Sequence, residues 1–314
     1  MIIKHISEQD ILDNISMSES ISIVEEAFKH FQDGSSKMPS KVYLDLPEFE
    51  GDFRAMPAYE HSQEFAGVKW VNVHAKNSEI GLPTVMGTIL LNNPKTAEPL
   101  AVVEATALTA LRTGAASGVA TKYCAKESAK TLALIGAGIQ AYYQAEAIVL
   151  VRDIKVINIY DVKEKNTAIL IEKLREFYKG EINNCKSVET CVKNADVVIT
   201  TTPSTKPILK KSWLNKAVHI NAIGADARGK RECDDAIITS AQLVIDDITQ
   251  ATHSGEINVP ISNKLIDEKN ILATLGDIIT NKSSVDRDNI TLFDSTGLAI
   301  QDIALAGYVY KKII

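Results

Sequence analysis

Two positively charged residues stand in parts of the chain that are otherwise free of charge. Arg112 is the single charged residue of the small-sided, mostly apolar stretch 105–121. A guanidinium cannot shed its charge there, so it requires either a structural carboxylate or the phosphate or carboxylate of a ligand. Lys69 is flanked by apolar residues in the stretch 66–71, where it is either partly buried or an edge-strand lysine facing water. Burial would lower its pKa and suit it to proton transfer.

A glycine-rich turn, Gly136-Ala137-Gly138-Ile139-Gln140-Ala141, follows an apolar run and has the pattern G-x-G-x-x-A. Between a strand and a helix, the first glycine permits a tight turn and the second lets backbone approach a pyrophosphate. The alanine lets the helix and the strand pack closely. The N–H groups and the positive dipole end of the helix then point at the phosphates. A plain tight turn has the same residues, but the strand before it and the helix after it favour a dinucleotide site.

Asp161 ends the next apolar run, in Ile159-Tyr160-Asp161. A carboxylate there hydrogen-bonds an adenosine ribose hydroxyl and repels a 2′-phosphate, so it favours NAD over NADP. The alternative is a surface aspartate that caps the following helix. Two nearby cations, Lys163 and Lys165, weaken the discrimination between the two cofactors.

Polar loops follow three further apolar runs, at residues 200–204, 221–226 and 293–297. Doubly wound sheets bind ligands at the carboxyl ends of their strands, so these loops are expected to complete the cofactor site. The loop 293–297 also fits a helix N-cap.

The elements that must hold these residues fall into two groups. The first begins with a helix that Ser18 can cap and that Gly34 follows. Closely spaced extended runs then predict an antiparallel or mixed sheet, at 42–46, 52–56, 65–74, 85–92 and 100–103.

After the helix 105–121 the pattern changes to strands that alternate with helices. Such alternation predicts a parallel, doubly wound sheet. The predicted strands are 131–135, 155–160, 196–201, 218–223 and 243–246, with helical stretches such as 139–151 and 167–178. A last strand, 291–293, leads into a helix from about Ile300 onward.

Composition limits the classes of protein. The 314 residues are 45% hydrophobic and 24% charged, which is typical of a globular protein. A net charge of −6 without a long basic run argues against nucleic-acid binding. No run approaches the roughly 20 apolar residues that span a bilayer, so no membrane partner is expected. Acidic residues near the start, in Ser7-Glu8-Gln9-Asp10, argue against a signal peptide and favour a cytoplasmic protein.

The remaining cysteines, histidines and cations predict little on their own. The cysteines (124, 185, 191 and 233) lack C-x-x-C spacing, and the histidines form no ligand cluster, so reduced thiols and no metal are expected. His219, inside an apolar strand, is expected in the core, and His74 is expected to be a satisfied polar residue. Lys41 and Arg54 would each, alone, be a solvated surface charge.

Taken in order, these residues resemble the ornithine cyclodeaminase/mu-crystallin family over nearly the whole chain. The motifs that carry the resemblance are 69–72 (KWVN), 81–86 (GLPTVM), 109–113 (TALRT), 136–141 (GAGIQA) and 219–226 (HINAIGAD). The resemblance implies an α/β protein that uses NAD(P) and forms a homodimer. A Rossmann domain with a doubly wound parallel sheet (116–296) would accompany an α+β substrate and dimerisation domain (1–115, completed by 297–314).

The same resemblance implies roles for individual residues. Lys69 looks like the active-site lysine and Asp226 like an acid/base carboxylate. Lys41, Arg54 and Arg112 look like substrate-binding cations, with Arg112 also at the cofactor. The implied cofactor-binding residues are Thr84, Arg112, Thr113, Gly136, Gly138, Ile139, Gln140, Asp161, Val162, Lys163, Thr201, Thr202, Ala222, Ile223, Gly224 and Ser295.

Arg54 discriminates within the family. Ornithine cyclodeaminases carry a carboxylate just before the Met-Pro pair, whereas Arg54 stands in the same segment here and should attract a substrate carboxylate. Four segments (39–44, 51–58, 255–259 and 293–302) are similar to the archaeal-type alanine dehydrogenase branch. The first hypothesis is therefore NAD-dependent oxidative deamination of L-alanine to pyruvate and ammonia, with Asp226 a possible partner of Lys69. The alternatives are a cyclodeaminase, a reductase of pyrroline- or piperideine-carboxylates, or a mu-crystallin-like binding protein without catalysis.

Overall fold

The computed structural model describes residues 3–314, with the side chains of residues 75 and 78 excepted. Its strands are β1 (Lys4–Ile6), β2 (Val42–Leu46), β3 (Gly51–Glu60), β4 (Phe65–His74), β5 (Val85–Asn92), β6 (Pro99–Glu104), β7 (Thr131–Ile135), β8 (Val156–Tyr160), β9 (Glu181–Asn184), β10 (Val197–Thr200), β11 (His219–Ala222), β12 (Gln242–Ile245), β13 (Ile271–Thr274) and β14 (Thr291–Asp294). Its α-helices are α1 (Glu8–Asn14), α2 (Met17–Gln32), α3 (Thr106–Cys124), α4 (Ile139–Val151), α5 (Glu164–Leu174), α6 (Val188–Val192), α7 (Asp235–Ile238), α8 (Ile248–Ser254), α9 (Asn258–Ser262), α10 (Leu275–Ile279) and α11 (Ala299–Ile313).

The chain forms two compact units. Unit 1 is the chain up to Arg112 together with Leu298–Ile314, and unit 2 is Thr113–Gly297.

Unit 1 is built on a sheet in the order β1-β6-β5-β4-β3-β2, in which only the β1–β6 pair is parallel. Strand β3 runs past Pro57, although proline usually ends a central strand, because the pairing with β2 stops at Ala55. The terminal helix α11 packs against β3, β4 and α2. One face of the sheet is therefore covered by helix.

Helix α2 begins two residues earlier than the sequence predicts. The N-cap is Ser16, not Ser18: its hydroxyl accepts from the N–H of Glu19 at 3.2 Å, and the Glu19 carboxylate accepts from the N–H of Ser16 at 2.8 Å. A reciprocal capping box needs a side chain that can accept a hydrogen bond three positions after the cap, and the residue three positions after Ser18 is the apolar Ile21.

Unit 2 contains an all-parallel sheet in the order β13-β12-β14-β11-β10-β7-β8-β9. The strand order reverses at β7, as in doubly wound folds. Alternate residues of β7 pack in different apolar cores. Ala133 and Ile135 pack in one core, and Leu132 and Leu134 pack in the other. Both faces of the sheet are thus buried, which confirms the predicted fold class.

Sequence analysis missed three strands, β1, β9 and β13. Each has three or four residues and lies at the edge of its sheet. Strands this short contain too few residues for a strand period to be recognised in the sequence. In the described chain, no helix has the length and hydropathy required to cross a membrane.

Candidate active site

Lys69 lies on the helix-covered face of β4 and is 1% exposed. Its Nζ is 2.6 Å from Oδ2 of Asp302, in the first turn of α11. The expectation that it is buried is confirmed, and the alternative of an edge lysine facing water is wrong. The contact is a close ion pair between two buried groups.

Arg112 shares the same carboxylate. Its Nε donates to Oδ1 of Asp302 at 3.1 Å, and its Nη1 donates to Oε1 of Gln301 at 3.4 Å. The side chains of Lys69, Arg112 and Asp302 are all at least nine-tenths buried. Two buried cations therefore meet one carboxylate. When Lys69 is protonated, the group keeps one positive charge in excess, which a bound anion would neutralise.

Burial lowers the pKa of Lys69 to about 7. The Asp302 carboxylate opposes this shift, whereas the positive charges of Arg112 and Lys41 add to it. A lysine in this range gains and loses its proton close to neutral pH. Sequence analysis missed Asp302. The sequence feature that singled out Arg112 could also have identified Asp302, because Asp302 is the only charged residue in the stretch 299–307.

Arg54, in β3, lies on the same face of the sheet as Lys69 and is 5% exposed. The alternative of a solvated surface charge is therefore wrong for this residue. Its Nε and Nη2 donate to the two carboxylate oxygens of Asp52 at 2.7 and 3.1 Å. Its guanidinium also lies 5.4 Å from the ring centroid of Tyr43. Asp52, which sequence analysis did not consider, therefore balances the charge of Arg54. Lys41, just before β2, is partly exposed.

The two histidines that we expected to be structural have polar partners. His74 Nδ1 lies 3.1 Å from Nδ2 of Asn72. His219 is 2% exposed, with Nδ1 at 2.8 Å from Oγ1 of Thr291 and Nε2 at 3.3 Å from Oδ1 of Asn221. Burial lowers the pKa of His219 to about 3, so it is neutral in the core.

In unit 2, the glycine turn has the backbone that a pyrophosphate site needs. Gly136 adopts φ +95°, and a Cβ there would come within 2.8 Å of Oγ1 of Thr201. Gly138 is the N-cap of α4, no side chain caps that end, and a Cβ on Gly138 would enter open space. Ala141 is fully buried where α4 packs on the sheet. The first turn of α4 thus presents N–H groups to an open position, as a phosphate requires.

Asp161 holds this turn in place. Its Oδ2 accepts from the N–H of Ala137 at 2.8 Å, and its Oδ1 accepts from the N–H of Lys163 at 2.7 Å. The N-cap of α5 is Lys163, so the alternative that Asp161 caps this helix is wrong. Val162, beside it, is 85% exposed.

The strand-end loops are joined by buried carboxylates that sequence analysis did not identify. Glu232 accepts from the backbone N–H of Thr202 at 2.7 Å and of Gly224 at 2.9 Å. Asp294 accepts from the N–H groups of Glu256 and Ile257, and the N-cap of α11 is Leu298. The alternative that the loop 293–297 supplies a helix N-cap is therefore wrong for α11.

The other predicted cofactor residues occupy varied positions. Ser295 is 4% exposed, and its Oγ has no partner among the described residues. Thr113 and the strand-end pair Ala222 and Ile223 are buried as well. The remaining predicted residues are Ile139 and Gln140 in the first turn of α4, Thr201 directly after β10, and the exposed Thr84 before β5.

Asp226, the predicted acid/base carboxylate, follows β11. Its Oδ1 accepts from Nζ of Lys230 at 2.6 Å. The carboxylate in contact with Lys69 is Asp302. Across residues 3–314, no three His, Cys, Asp or Glu side chains are grouped to hold a metal, and the four cysteines are free thiols.

The doubly wound sheet, the glycine turn and the uncapped start of α4 define a dinucleotide-binding fold. The chain belongs to the ornithine cyclodeaminase/mu-crystallin family, whose model matches residues 4–314.

Relatives with several activities are similar to this chain over nearly its whole length. Alanine dehydrogenase of Archaeoglobus fulgidus is 46% identical over 312 residues, with 98% of this chain and 94% of the relative covered. Delta(1)-pyrroline-2-carboxylate reductase of Bacillus cereus is 35% identical and covers 96% of this chain and 93% of the relative. Ketimine reductase mu-crystallin of Mus musculus is 30% identical, with 98% and 96% covered.

Two solved structures are also similar to this chain over nearly its whole length. An archaeal alanine dehydrogenase dimer with bound NAD has a TM-score of 0.92 at 44% identity and covers 98% of this chain and 95% of its own. Thermococcus litoralis Delta(1)-pyrroline-2-carboxylate reductase, in complex with NADH and L-proline, has a TM-score of 0.96 at 37% identity, with 99% and 97% covered.

Proposed function

We propose that this protein is an NAD-dependent oxidoreductase that interconverts L-alanine and water with pyruvate and ammonia. The observation that carries the proposal is the pair of buried cations, Lys69 and Arg112, held by one carboxylate. The unbalanced positive charge matches a small substrate with one carboxylate. Charge-assisted hydrogen bonds of this kind contribute about 1.5–3 kcal/mol each.

Lys69 is the group we assign to proton transfer. With a pKa of about 7, Nζ is a mixture of ammonium and amine near neutral pH. As ammonium it binds the substrate carboxylate or carbonyl oxygen. As amine it accepts the proton of the water molecule that adds to the imine carbon before ammonia leaves. Arg112 keeps its charge throughout, so it positions the substrate without moving a proton. Asp226 remains a predicted acid/base carboxylate.

The glycine turn is the proposed pyrophosphate site, and Asp161 is the proposed ligand of the adenosine ribose. The open position at Gly138 and the uncapped start of α4 fit the group without rearrangement of the backbone. When bound, NAD supplies a hydride acceptor, and NADH a donor. The side chain of Asp161, already fixed by two backbone N–H groups, would stand as a negative charge against a 2′-phosphate.

Reduction of a cyclic imine acid is the second candidate. Relatives named as Delta(1)-pyrroline-2-carboxylate reductases include two that are 35% and 37% identical to this chain, and the Lys69–Arg112 pair would hold the carboxylate of such an acid equally well. A mu-crystallin-like binding role without catalysis is less favoured, because the chain retains the buried Lys69, whose pKa of about 7 suits it to proton transfer.

The deciding experiment follows NADH oxidation by the purified protein with two substrates, pyruvate plus ammonium and pyrroline-2-carboxylate. The proposal expects the first to give the higher kcat/KM. Lys69→Met should abolish turnover while NADH still binds, and Lys95→Met, at an exposed lysine, is the matched control. Preference for pyrroline-2-carboxylate would replace the first candidate by the second. Full turnover by Lys69→Met would refute the role of the lysine.

We also propose a homodimer that forms through the uncovered face of the sheet in unit 1. Apolar side chains on that face include Val42, Leu44, Trp70 and Leu90, which are 64, 49, 44 and 37% exposed. Phe53 stacks on Trp70 with their centroids 5.3 Å apart. An apolar face of this kind marks an interface, and a solved relative of this family is a dimer.

A further inference from the structure

Three buried carboxylates in unit 2 form a chain of backbone contacts outside the groups assigned above. The side chains of Glu232, Glu256 and Asp294 are on residues that are 0% exposed. No Lys or Arg of the described chain forms an ion pair with any of them. Each carboxylate accepts instead from backbone N–H groups of another segment, so together they connect the loops at the carboxyl ends of the sheet.

The hydrogen bonds link Asp294 to the segment of Glu256, and Glu256 to the segment of Glu232. Asp294, at the end of β14, accepts from the N–H groups of Glu256 at 2.8 Å and Ile257 at 3.1 Å. Glu256 accepts in turn from the N–H groups of Glu232 at 2.9 Å and Cys233 at 2.7 Å. Glu232 is therefore held by a segment that is itself held by β14.

Glu232 contacts two of the predicted cofactor loops. Its Oε1 accepts from both the N–H and the hydroxyl of Thr202 at 2.7 Å, and its Oε2 accepts from the N–H of Gly224 at 2.9 Å. These residues follow β10 and β11, on one side of the reversal in strand order, whereas the glycine turn and Asp161 follow β7 and β8. In a doubly wound fold each half binds one mononucleotide, so the β10–β11 loops belong to the nicotinamide half.

We propose that Glu232, anchored through Glu256 by Asp294, is a positioning residue for the nicotinamide half of the cofactor site. It acts through the Thr202 and Gly224 loops without contact with the cofactor. A carboxylate can accept hydrogen bonds from both loops at once. An amide of the same shape presents an N–H₂ group to one of the loops, and the hydrogen bond to that loop is lost. This inference rests on the proposed NAD site.

The test compares NADH with ADP-ribose, which has the adenosine, pyrophosphate and second ribose but lacks nicotinamide. Binding is measured by titration calorimetry for the wild type and for Glu232→Gln. We expect the variant to bind NADH about tenfold more weakly or worse, as the loss of one buried hydrogen bond predicts, and ADP-ribose as the wild type does. A merely structural role would weaken both ligands alike.

Asp196→Asn is the matched control. Asp196 also accepts from two backbone N–H groups, those of Lys130 and Thr131, but at the amino ends of the strands. This variant should bind both ligands normally. Glu256→Gln serves as the second variant and should show the same selective loss as Glu232→Gln.

Each outcome decides the inference. Equal loss of both ligands, or no loss of NADH, overturns the positioning role. The role is also overturned if neither glutamate variant folds while Asp196→Asn does, because the carboxylates then serve stability alone. A wild type that binds neither NADH nor ADP-ribose overturns the proposed function itself, which is a separate result.

Discussion

Replacement of Asp302 by Asn tests whether this carboxylate sets the charge of Lys69. The substitution keeps the shape of the side chain but removes the only anion within 2.6 Å of Nζ among the described residues. An opposite charge at this range shifts a pKa by about 1–3 units, so the pKa of Lys69 should fall from about 7 to between about 4 and 6. If substrate binding requires the ammonium, kcat/KM declines as pH rises through that pKa.

The size of the loss in kcat/KM for Asp302→Asn depends on the pH of the assay. At about pH 7.5 the protonated fraction of Lys69 falls roughly eightfold even for a one-unit shift, whereas at about pH 5 the same shift changes it by less than twofold. The pH profile of kcat/KM for pyruvate, measured at saturating NADH and ammonium, should therefore move to lower pH by about 1–3 units. Asp302→Glu, which restores the charge, should move the profile back toward that of the wild type.

Loosening of helix α11 is the main alternative cause of such a loss. Glu19→Gln controls for it, because Glu19 accepts from Tyr308 and Lys312 of the same helix at 2.7 Å. This control should lower activity, if at all, without moving the profile. An Asp302→Asn enzyme that folds, remains active and keeps the alkaline limb of the wild type would refute the reasoning, since Lys69 would then titrate independently of Asp302.

Three further predictions concern the cofactor, the core and the interface. Asp161→Ser should raise the ratio of kcat/KM for NADPH over NADH by tenfold or more (about 1.4 kcal/mol of removed repulsion), and an unchanged ratio would contradict the ribose assignment. His219 has a folded pKa of about 3 against 6.5 when exposed, so the unfolded chain binds the extra proton and stability is lost as pH falls through this window. The free energy of unfolding, measured by chemical denaturation between about pH 6.5 and 4, should change with pH less steeply in His219→Gln than in the wild type, by about 1.4 kcal/mol per pH unit. Equal slopes for the two proteins would contradict this account. Trp70→Glu should convert a dimer to a monomer in light scattering at unchanged secondary structure, whereas a persistent dimer would place the interface elsewhere.

Local patterns in the sequence were sufficient for much of the fold and part of the site. The glycine turn, the apolar strands of unit 2 and the isolated charges Lys69 and Arg112 are recognisable because each depends on a few neighbouring residues. The period of the apolar residues predicts a strand or a helix wherever burial is strong. It fails for the edge strands β1, β9 and β13, which have only three or four residues each.

Tertiary structure alone decided which groups meet. Arg112 and Asp302 are 190 residues apart in sequence, and their contact depends on how α11 packs on the sheet of unit 1. The hydrogen bonds that Thr202 and Gly224 donate to Glu232 likewise join three separate loops. The sequence determined that buried charges must find partners, because an unpaired charge is too costly in an apolar interior. Only the packing of distant segments determined which partners they found, since side-chain contacts of this kind leave no periodic trace along the chain.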